Sequence, residues 1–564
     1  MRSDLEIAKS AKLKTIREIG DEIGVTFEEL EPYGCNAAKI NLSILDRLAD
    51  RPQGKYIVVT AITPTPLGEG KTVTTIGLSM ALNRIGQNAV CAIRQPSMGP
   101  TFGIKGGAAG GGYSQVVPME NFNLHFTGDM HAVSSAHNLL AAFLDNHLYH
   151  GNTMNIDPYS ITWPRVLDMS DRSLRSVLLG LGTKTNGPLR ESKWDITAAS
   201  EVMAILGLTH HIRDLRERLG RIVVGYTSTG EAVTADSLKA AGAMTVLLYE
   251  AIKPNLIQTF ENTPALVHTG PFANIAHGNS SILADKIGLR LAEFVVTESG
   301  FGADIGAEKF FNIKCREMDK RPDAAVLVCT VRALKMHSGK VSVVAGKPLD
   351  PELLNAHPQL VEEGLGNLIK QIENVQMHGV PVVVAINRFD SDAPEELQLI
   401  KDAALQAGAV DVVESHLWAQ GSAGGEELAH AVVKAAQQPS DFRHLYDTAW
   451  SVEKKIETIA THVYGASEIE YSVEARKQIQ SYKDLGLADV PICMAKTHLS
   501  LSADPKLKGR PKDFYIHVRE VRAAVGAGFL YPILGNMMTM PGLPTVPAGE
   551  HIDIDENGEI VGLS

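Results

Sequence analysis

A ten-residue run, Thr-Pro-Thr-Pro-Leu-Gly-Glu-Gly-Lys-Thr at positions 63–72, constrains the fold of this chain more than any other feature. It follows an apolar, β-rich segment at residues 56–62 and precedes a segment of helical periodicity at residues 73–85. This order of a strand, a glycine-rich turn, Lys-Thr and a helix is typical of a phosphate-binding loop. The N–H groups of the turn and of the helix start point at the phosphate anion. The run therefore predicts a nucleoside triphosphate site.

The predicted nucleotide contacts are the residues of this run. They are Thr63, Pro64, Thr65, Pro66, Leu67, Gly68, Glu69, Gly70, Lys71 and Thr72. Lys71 is long enough to reach the terminal phosphates, and the Thr72 hydroxyl can ligate Mg²⁺. Thr65 stands where the usual phosphate loop has its first glycine, so a stray surface turn is the alternative interpretation.

The rest of the sequence predicts an α/β fold with a mostly parallel sheet. Short β-branched segments alternate with helical patterns such as residues 133–144 and 394–407. The predicted strands are residues 56–62, 89–94, 222–225, 293–297, 325–331, 381–386 and 410–414. Several are apolar throughout, which suits parallel strands covered on both faces. The expected units are a large phosphate-loop domain (1–340), a second, smaller α/β domain (341–440) and a C-terminal domain (441–564).

Charge and cysteine content exclude several classes of function. A formal net charge of −12 argues against general affinity for nucleic acids or anionic membranes, because both require a positive surface. The five cysteines are scattered without a C-x-x-C pair, so neither a zinc knuckle nor a disulfide framework is expected. No apolar run is long enough to span a bilayer, and the N-terminus does not resemble a signal peptide. We therefore expect a cytoplasmic protein.

Arg94 ends the second predicted strand and precedes a glycine-rich stretch that reaches residue 112 and contains Lys105. An Arg at the carboxyl end of this strand faces the ligand crevice of a parallel sheet. Its planar fork can hold phosphate or carboxylate oxygens through two parallel bonds. A flexible loop tip with a surface salt bridge is the alternative. Further along, Asp129 and the nearby His125 offer acid–base or Mg²⁺ roles, although a lone His is more often structural.

Residues 387–390, Asn-Arg-Phe-Asp, follow an apolar strand and allow two interpretations. One is the guanine-reading loop of a GTPase, with Arg388 in place of the usual Lys and no D-x-x-G that follows an apolar strand between the phosphate loop and this point. The other uses Phe389 and Trp418, which both follow strand-like segments and could sandwich a flat heterocycle. Each stacking contact would contribute ~1–3 kcal/mol. Either ring alone is more often part of a core.

Long runs of the chain resemble formate–tetrahydrofolate ligase (formyltetrahydrofolate synthetase) nearly end to end. They are residues 63–72, 94–112, 115–120, 123–137, 271–278, 298–304, 330–337 and 538–544. Thr65 is expected in this family, whose phosphate loop carries T-P-x-G-E-G-K-T. The resemblance implies that ATP phosphorylates formate to formyl phosphate. N10 of tetrahydrofolate then attacks the formyl carbon, giving 10-formyltetrahydrofolate, ADP and phosphate.

The resemblance also implies roles for individual residues. Lys71, Arg94 and Asp129 would be catalytic, and Phe389 and Trp418 would enclose the pteridine ring. The further predicted substrate contacts are Lys105, His125 and His268. The implied cofactors are ATP, Mg²⁺ at Thr72 and a monovalent cation, K⁺ or NH₄⁺. The implied partners are formate and tetrahydrofolate or its polyglutamates, in a homotetramer, with no nucleic acid or membrane.

Two departures from the family pattern limit what the resemblance carries over. Gln95 stands where relatives usually have Glu, so a proton-shuttling carboxylate is missing there. Cys35 and Ala37 stand where relatives often have basic residues, and only Lys39 is kept. Three classes of function are thus compared: a ligase, a GTP-driven switch and a non-catalytic nucleotide-binding scaffold.

Overall fold

The computed structural model describes residues 2–104, 108–273, 275–343, 349–535 and 537–563. Its strands are β1 (Leu30–Tyr33), β2 (Ala37–Ile40), β3 (Lys55–Ala61), β4 (Ala89–Ile93), β5 (Gly110–Gly111), β6 (Ser114–Val117), β7 (Arg165–Leu167), β8 (Val177–Leu179), β9 (Arg190–Ser192), β10 (Trp194–Ile196), β11 (Val223–Tyr226), β12 (Ala232–Thr234), β13 (Asn255–Thr259), β14 (Pro264–Val267), β15 (Phe294–Glu298), β16 (Ala324–Cys329), β17 (Val382–Asn387), β18 (Asp411–Ser415), β19 (Glu468–Tyr471), β20 (Tyr515–Ala524), β21 (Phe529–Leu534), β22 (Asp553–Ile554) and β23 (Ile560–Val561).

The α-helices alternate with these strands over most of the chain. They are α1 (Asp4–Lys9), α2 (Ile16–Ile23), α3 (Ser43–Arg47), α4 (Lys71–Arg84), α5 (Met98–Phe102), α6 (Met119–Asn123), α7 (Asp129–Tyr149), α8 (Glu201–Leu208), α9 (Ile212–Arg221), α10 (Ala241–Leu247), α11 (Ile282–Leu291), α12 (Cys315–Met318), α13 (Val331–His337), α14 (Pro351–Leu354), α15 (Pro358–Gln376), α16 (Pro394–Gln406), α17 (Leu417–Gln420), α18 (Glu426–Ala436), α19 (Val452–Thr458) and α20 (Val473–Asp484). Among the described residues, none of the helices combines the length and the apolar character needed to cross a membrane.

A twelve-stranded sheet organises most of the chain. Its main order is β1-β2-β13-β14-β4-β15-β3-β16-β17-β18, and β6 joins β13 and carries β5. All neighbouring pairs from β14 to β18 along this order are parallel. The strands at the other end join in antiparallel fashion. The predicted α/β fold with a mostly parallel sheet is confirmed.

The two faces of the sheet are covered by different helices, as the side-chain alternation of β3 illustrates. Tyr56 and Val58 pack into a core that includes α11 and α15, whereas Ile57, Val59 and Ala61 pack into a core that includes α4 and α18. Because successive side chains of a strand point to opposite faces, an apolar run of this length requires cover on both sides. The unbroken apolar sequence of β3 therefore reflects its central, doubly covered place.

Six of the seven predicted strands form the parallel part of the sheet, with bounds within two residues of those predicted. The seventh, β11, instead pairs antiparallel with β12 outside the large sheet. Strands β13 and β14 were not predicted. Polar residues such as Asn255 and Gln258 interrupt the apolar pattern of β13, yet every residue of that strand is buried.

The segment predicted as a second domain extends the large sheet. β16 pairs with β3 on one side and with β17 on the other, and β18 follows at the edge. The described part of residues 341–440 thus adds strands to the first sheet and does not build one of its own. Further along, β19, β20 and β21 form a separate three-stranded sheet with its own hydrophobic core. The domain bounds at 340 and 440 stay predictions.

Candidate active site

The loop between β3 and α4 lies at the carboxyl end of the parallel strands, where open α/β sheets bind ligands. Its tip, residues 66–68, is exposed, whereas Thr63, Thr65 and Glu69 are buried. Gly70, at φ +80°, precedes the helix and provides no side-chain cap, and the first turn of α4 carries no acidic residue. The first N–H groups of a helix have no partner within it, and the helix dipole favours a negative charge there. The geometry of this loop therefore suits an anion.

Glu298 joins the start of α4 to Arg94. It ends β15, the strand between β3 and β4, and is only 5% exposed. Its Oε2 accepts a hydrogen bond of 2.9 Å from the Thr72 hydroxyl, and its Oε1 lies 3.7 Å from Arg94 Nε. The Arg94 side chain keeps 25% of its surface exposed and donates from Nη1 to the Pro271 carbonyl at 3.2 Å. One carboxylate thus places the predicted nucleotide loop beside the predicted anion-binding Arg.

The 63–70 loop is held at both ends by amide side chains from much later in the chain. At its start, Asn367 Oδ1 accepts from Thr63 N at 3.0 Å, and Thr63 Oγ1 accepts from Asn367 at 2.9 Å and from Gln371 at 3.0 Å. At its end, Asn387 Nδ2 donates to the Glu69 carbonyl at 2.7 Å. The loop is therefore fixed to α15 and to the end of β17.

Buried polar groups without protein partners lie next to Arg94 in the chain and at the end of the neighbouring strand. Gln95 is 3% exposed, and neither atom of its amide makes a hydrogen bond within the described residues. Its backbone N–H donates to the Thr269 carbonyl at 2.7 Å, and the buried Thr269 hydroxyl is also unpartnered there. A neutral amide at position 95 avoids burying an unpaired charge, which would cost much more than an unpaired dipole.

Phe389 and Trp418 follow the adjacent strands β17 and β18, and the two residues are 40% and 43% exposed. The Arg332 guanidinium carbon lies 4.0 Å from the centre of the Phe389 ring and covers one of its faces. Trp418 packs against the glycine-rich stretch, where a Cβ on Gly112 would come within 2.0 Å of the Trp418 carbonyl oxygen. Neither ring is buried in the core, and both lie at the site edge of the sheet.

Comparison with known proteins agrees with this geometry. The sequence model of the formate–tetrahydrofolate ligase family matches residues 2–564. Over 564 residues the chain is 61% identical to the formate–tetrahydrofolate ligase of Roseiflexus sp. (strain RS-1) and 60% identical to that of Roseiflexus castenholzii, with full coverage of both chains in each case. It is 58% identical over 562 residues to that of Saccharopolyspora erythraea, covering all of this chain and 99% of the relative. This chain belongs to the formate–tetrahydrofolate ligase family.

Asp129 of this ligase lies in a buried ion pair. Its Oδ1 accepts from Lys39 Nζ at 2.7 Å, and its Oδ2 accepts from Asn255 Nδ2 at 2.7 Å. The side chains of Lys39 and Asp129 are 0% and 4% exposed. Both carboxylate oxygens have a protein partner, which favours a structural role at the start of α7. The catalytic role of Asp129 stays a prediction.

The three further predicted substrate contacts of the ligase have different surroundings. His268 is fully buried; its Nδ1 is 2.7 Å from the Ser281 hydroxyl and its Nε2 is 2.7 Å from the Ala251 carbonyl oxygen. Burial lowers the pKa of His268 to about 4, so the ring is neutral near pH 7. Both nitrogens are occupied, so the structure offers no support for direct substrate contact by His268. His125 is exposed, whereas Lys105 lies outside the described residues.

Sequence reasoning did not assign four side chains that shape the ligase site. Glu298, Arg332 and Asn387 lie in segments that it singled out, but only the fold brings them to the nucleotide loop and to Phe389. Asn367 lies in a helix with no motif. The sequence offered one signal for two of them. Glu298 and Asn387 each end an apolar strand, and ligands of open α/β sheets bind beyond the carboxyl ends of the strands.

We expect Lys39→Met to lower the free energy of unfolding by about 3–5 kcal/mol, because it leaves the Asp129 charge buried without its partner. The double variant Lys39→Met, Asp129→Asn lacks that charge. It should regain part of the lost thermal unfolding midpoint and keep most of the wild-type kcat. Thermal unfolding and steady-state assays of both variants check this. A stable double variant whose kcat is a hundredfold or more below wild type would instead make Asp129 catalytic, on the scale of general acid–base catalysis.

Proposed function

We propose that the chain ligates formate to tetrahydrofolate at the expense of ATP, through a formyl phosphate intermediate. The observation that carries the proposal is the Glu298 carboxylate, which accepts from Thr72 at 2.9 Å and faces Arg94 at 3.7 Å. The nucleotide loop and an anion-binding Arg thereby lie on the two sides of one strand. Phosphoryl transfer relies on such positioning and on charge stabilisation.

In the first step, one oxygen of formate attacks the γ-phosphorus of ATP, and the bond to the bridging oxygen of ADP breaks. The N–H groups at the start of α4 and the Lys71 ammonium bind phosphate oxygens as they gain negative charge. Arg94 holds the formate carboxylate with its guanidinium fork and keeps its grip when that carboxylate becomes formyl phosphate. The unpartnered polar atoms of Gln95 and Thr269 supply further donors and acceptors for such a small ligand.

Thr72 and Glu298 fit a magnesium ion. A hydroxyl oxygen and a carboxylate oxygen 2.9 Å apart are the hard ligands that Mg²⁺ prefers. Within the described residues no three His, Cys, Asp or Glu side chains group together as metal ligands, so the protein would hold the ion together with nucleotide phosphates. Bound there, Mg²⁺ would neutralise phosphate charge. Activation by K⁺ or NH₄⁺ stays a prediction.

In the second step, the lone pair of N10 attacks the formyl carbon, phosphate leaves with the oxygen that came from formate, and N10 loses its proton. Phe389 and Trp418 hold the pteridine between them, with Arg332 supporting the Phe389 ring from behind. The aromatic pair follows β17 and β18, two and three strands from β3 at the same edge of the sheet, so the acceptor is directed towards the formyl group. Assembly as a homotetramer, a cytoplasmic location and the use of polyglutamates stay predictions.

The rival GTP-driven switch has less support. Asn387, which would read a guanine edge in that interpretation, has its amide bound to the nucleotide loop. ADP formation distinguishes the classes, with formate and tetrahydrofolate added separately and together. We expect steady turnover only with both substrates and with ATP. Equal turnover without either substrate, or with GTP alone, would contradict the proposal.

Arg94→Lys keeps the positive charge but loses the fork that binds two oxygens at once. We expect kcat to fall by at least about a hundredfold, the scale for removal of one oxyanion donor, because the contact strengthens as negative charge develops. Nucleotide affinity, measured by calorimetry, should stay near wild type. Arg84→Lys, at the far end of α4, is the matched control and should keep full kcat. An Arg94→Lys enzyme that loses only nucleotide binding would refute this role.

Phe389→Ala and Trp418→Ala should each raise the KM for tetrahydrofolate by about one to two orders of magnitude, from a stacking contribution of ~1–3 kcal/mol per ring. The KM for ATP should change little. Two other exposed rings that carry a cation, Phe27 beside Arg17 and Trp450 beside Lys454, provide the matched Ala controls. If the folded fraction of the Phe389 and Trp418 variants keeps a normal KM, the rings do not bind folate.

A further inference from the structure

Asn387 lies between the nucleotide loop, residues 63–72, and the proposed folate-binding surface formed by Phe389 and Trp418, which we call the folate face. It is the last residue of β17, two positions before Phe389, and two strands away from β3 in the sheet. Its Nδ2 donates to the Glu69 carbonyl at 2.7 Å and lies 3.5 Å from the Gly70 carbonyl. Its Oδ1 lies 3.2 Å from the Thr74 hydroxyl, which shares its one proton between this oxygen and the Gly70 carbonyl at 3.0 Å. The whole amide is therefore used in holding the loop end and the first turn of α4.

These bonds fix the direction of the N–H groups that face a phosphate. In a planar trans peptide the C=O and N–H point in opposite directions. Holding the Glu69 carbonyl at 2.7 Å fixes the N–H of Gly70, which then points away from Asn387. The Gly70 carbonyl, which shares a peptide with the N–H of Lys71, is held mainly within α4, because it accepts from Thr74 N at 2.9 Å and from the Thr74 hydroxyl at 3.0 Å.

Position 70 favours glycine because its backbone is left-handed, and the Asn387 amide lies close to it. Gly70 has φ +80°, and a Cβ there would lie 2.6 Å from Asn387 Nδ2. Glu69 supports the same arrangement from inside the loop, because its Oε1 accepts from Thr65 N at 2.7 Å. Glycine at position 70 thus accommodates a side chain that comes from more than 300 residues later.

The backbone of Asn387 connects it to the folate face. Asn387 pairs in register with Ser415, and the next residue, Arg388, donates its N–H to the Ser415 carbonyl at 3.1 Å. Phe389 follows, and Trp418 lies three residues beyond Ser415. A displacement of Asn387 therefore moves the start of the segment that carries Phe389.

We propose that Asn387 is a positioning residue that couples the two halves of the site, so that nucleotide and folate each strengthen the binding of the other. Phosphate bound to the N–H of Gly70 polarises that peptide and makes the Glu69 carbonyl a better acceptor for Asn387. The firmer bond holds the end of β17 and the Phe389 segment in place. Linkage makes the effect reciprocal. The inference rests on the proposed nucleotide and folate sites.

Calorimetry of the full-length protein with a non-hydrolysable ATP analogue, with and without saturating tetrahydrofolate, measures the coupling directly. In wild type we expect folate to tighten nucleotide binding at least about fivefold, the lower end of typical coupling between sites. Asn387→Asp replaces the donor with an oxygen that repels the two carbonyls. We expect it to weaken nucleotide binding at least about tenfold. The coupling ratio, which is the nucleotide Kd without tetrahydrofolate divided by the Kd with it, should fall to near one.

Ser415→Ala is the matched control, because Ser415 is the buried register partner of Asn387 and its hydroxyl makes no hydrogen bond within the described residues. It should keep the wild-type ratio. Thr74→Val and Thr74→Ser provide a second test that does not alter Asn387. The first removes the hydroxyl that links the Asn387 amide to the Gly70 carbonyl and should lower the ratio, whereas the second keeps the hydroxyl and should preserve it. This pair decides the question if Asn387→Asp fails to fold.

The coupling proposal is overturned if wild type shows no folate effect on nucleotide binding, if Asn387→Asp keeps the full ratio, or if Ser415→Ala loses it equally. Loss of the ratio in both Thr74 variants would also overturn it. None of these measurements requires turnover. Failure of the proposed ligase reaction would instead appear as wild-type protein that forms no ADP with both substrates present, so the two failures are distinguishable.

Discussion

The contact of Glu298 with Thr72 on one side and Arg94 on the other is the interaction on which the proposed site depends. It exists because β15 lies between β3 and β4, so that three strand ends meet at one edge of the sheet. Neighbouring strands are about 4.8 Å apart, which brings the helix start after β3 and the Arg at the end of β4 within reach of one transferred group. A buried carboxylate needs partners, and Arg94 and Thr72 supply them.

The predicted nucleotide loop, residues 63–72, is held by side chains that the chain supplies more than 290 residues later. Asn367, Gln371 and Asn387 are neutral amides, so they hold the loop backbone without adding charge to the anion site. The positive charge comes instead from Lys71 and Arg94. The extension of the sheet by β16, β17 and β18 is what brings these amides to the loop. The same extension presents Phe389 and Trp418 at the same edge.

Much of the parallel sheet was predictable, because strands buried on both faces are apolar throughout. β13 escaped prediction since its polar residues are satisfied by partners distant in sequence: Asn255 binds Asp129, and Gln258 binds the backbone of Lys14. The long family-like runs predicted the family, which the comparisons confirmed. The same runs could not show that His268 is buried with both ring nitrogens bonded to protein atoms, whereas other predicted substrate contacts are accessible.

Asn387 illustrates the limit of motif reasoning most clearly. Its sequence context, a strand followed by Asn-Arg-Phe-Asp, matches a base-reading loop about as well as it matches a loop support. Only the sheet order decides between them, because it places the end of β17 two strands from β3 and directs the amide to Glu69 and Gly70. Spacing in sequence carries no information about such a contact.

The central claim is that Glu298 places the γ-phosphate, bound beside Thr72, next to formate, bound by Arg94, so that a formate oxygen attacks the phosphorus. Turnover with ¹⁸O-labelled formate, ATP and tetrahydrofolate, followed by mass spectrometry of the phosphate, tests it most directly. Attack by a formate oxygen on the γ-phosphorus predicts one ¹⁸O atom in each molecule of phosphate released. Phosphate that carries no label, with one ¹⁸O atom in the formyl group of the folate product and the other released as water, would contradict the account.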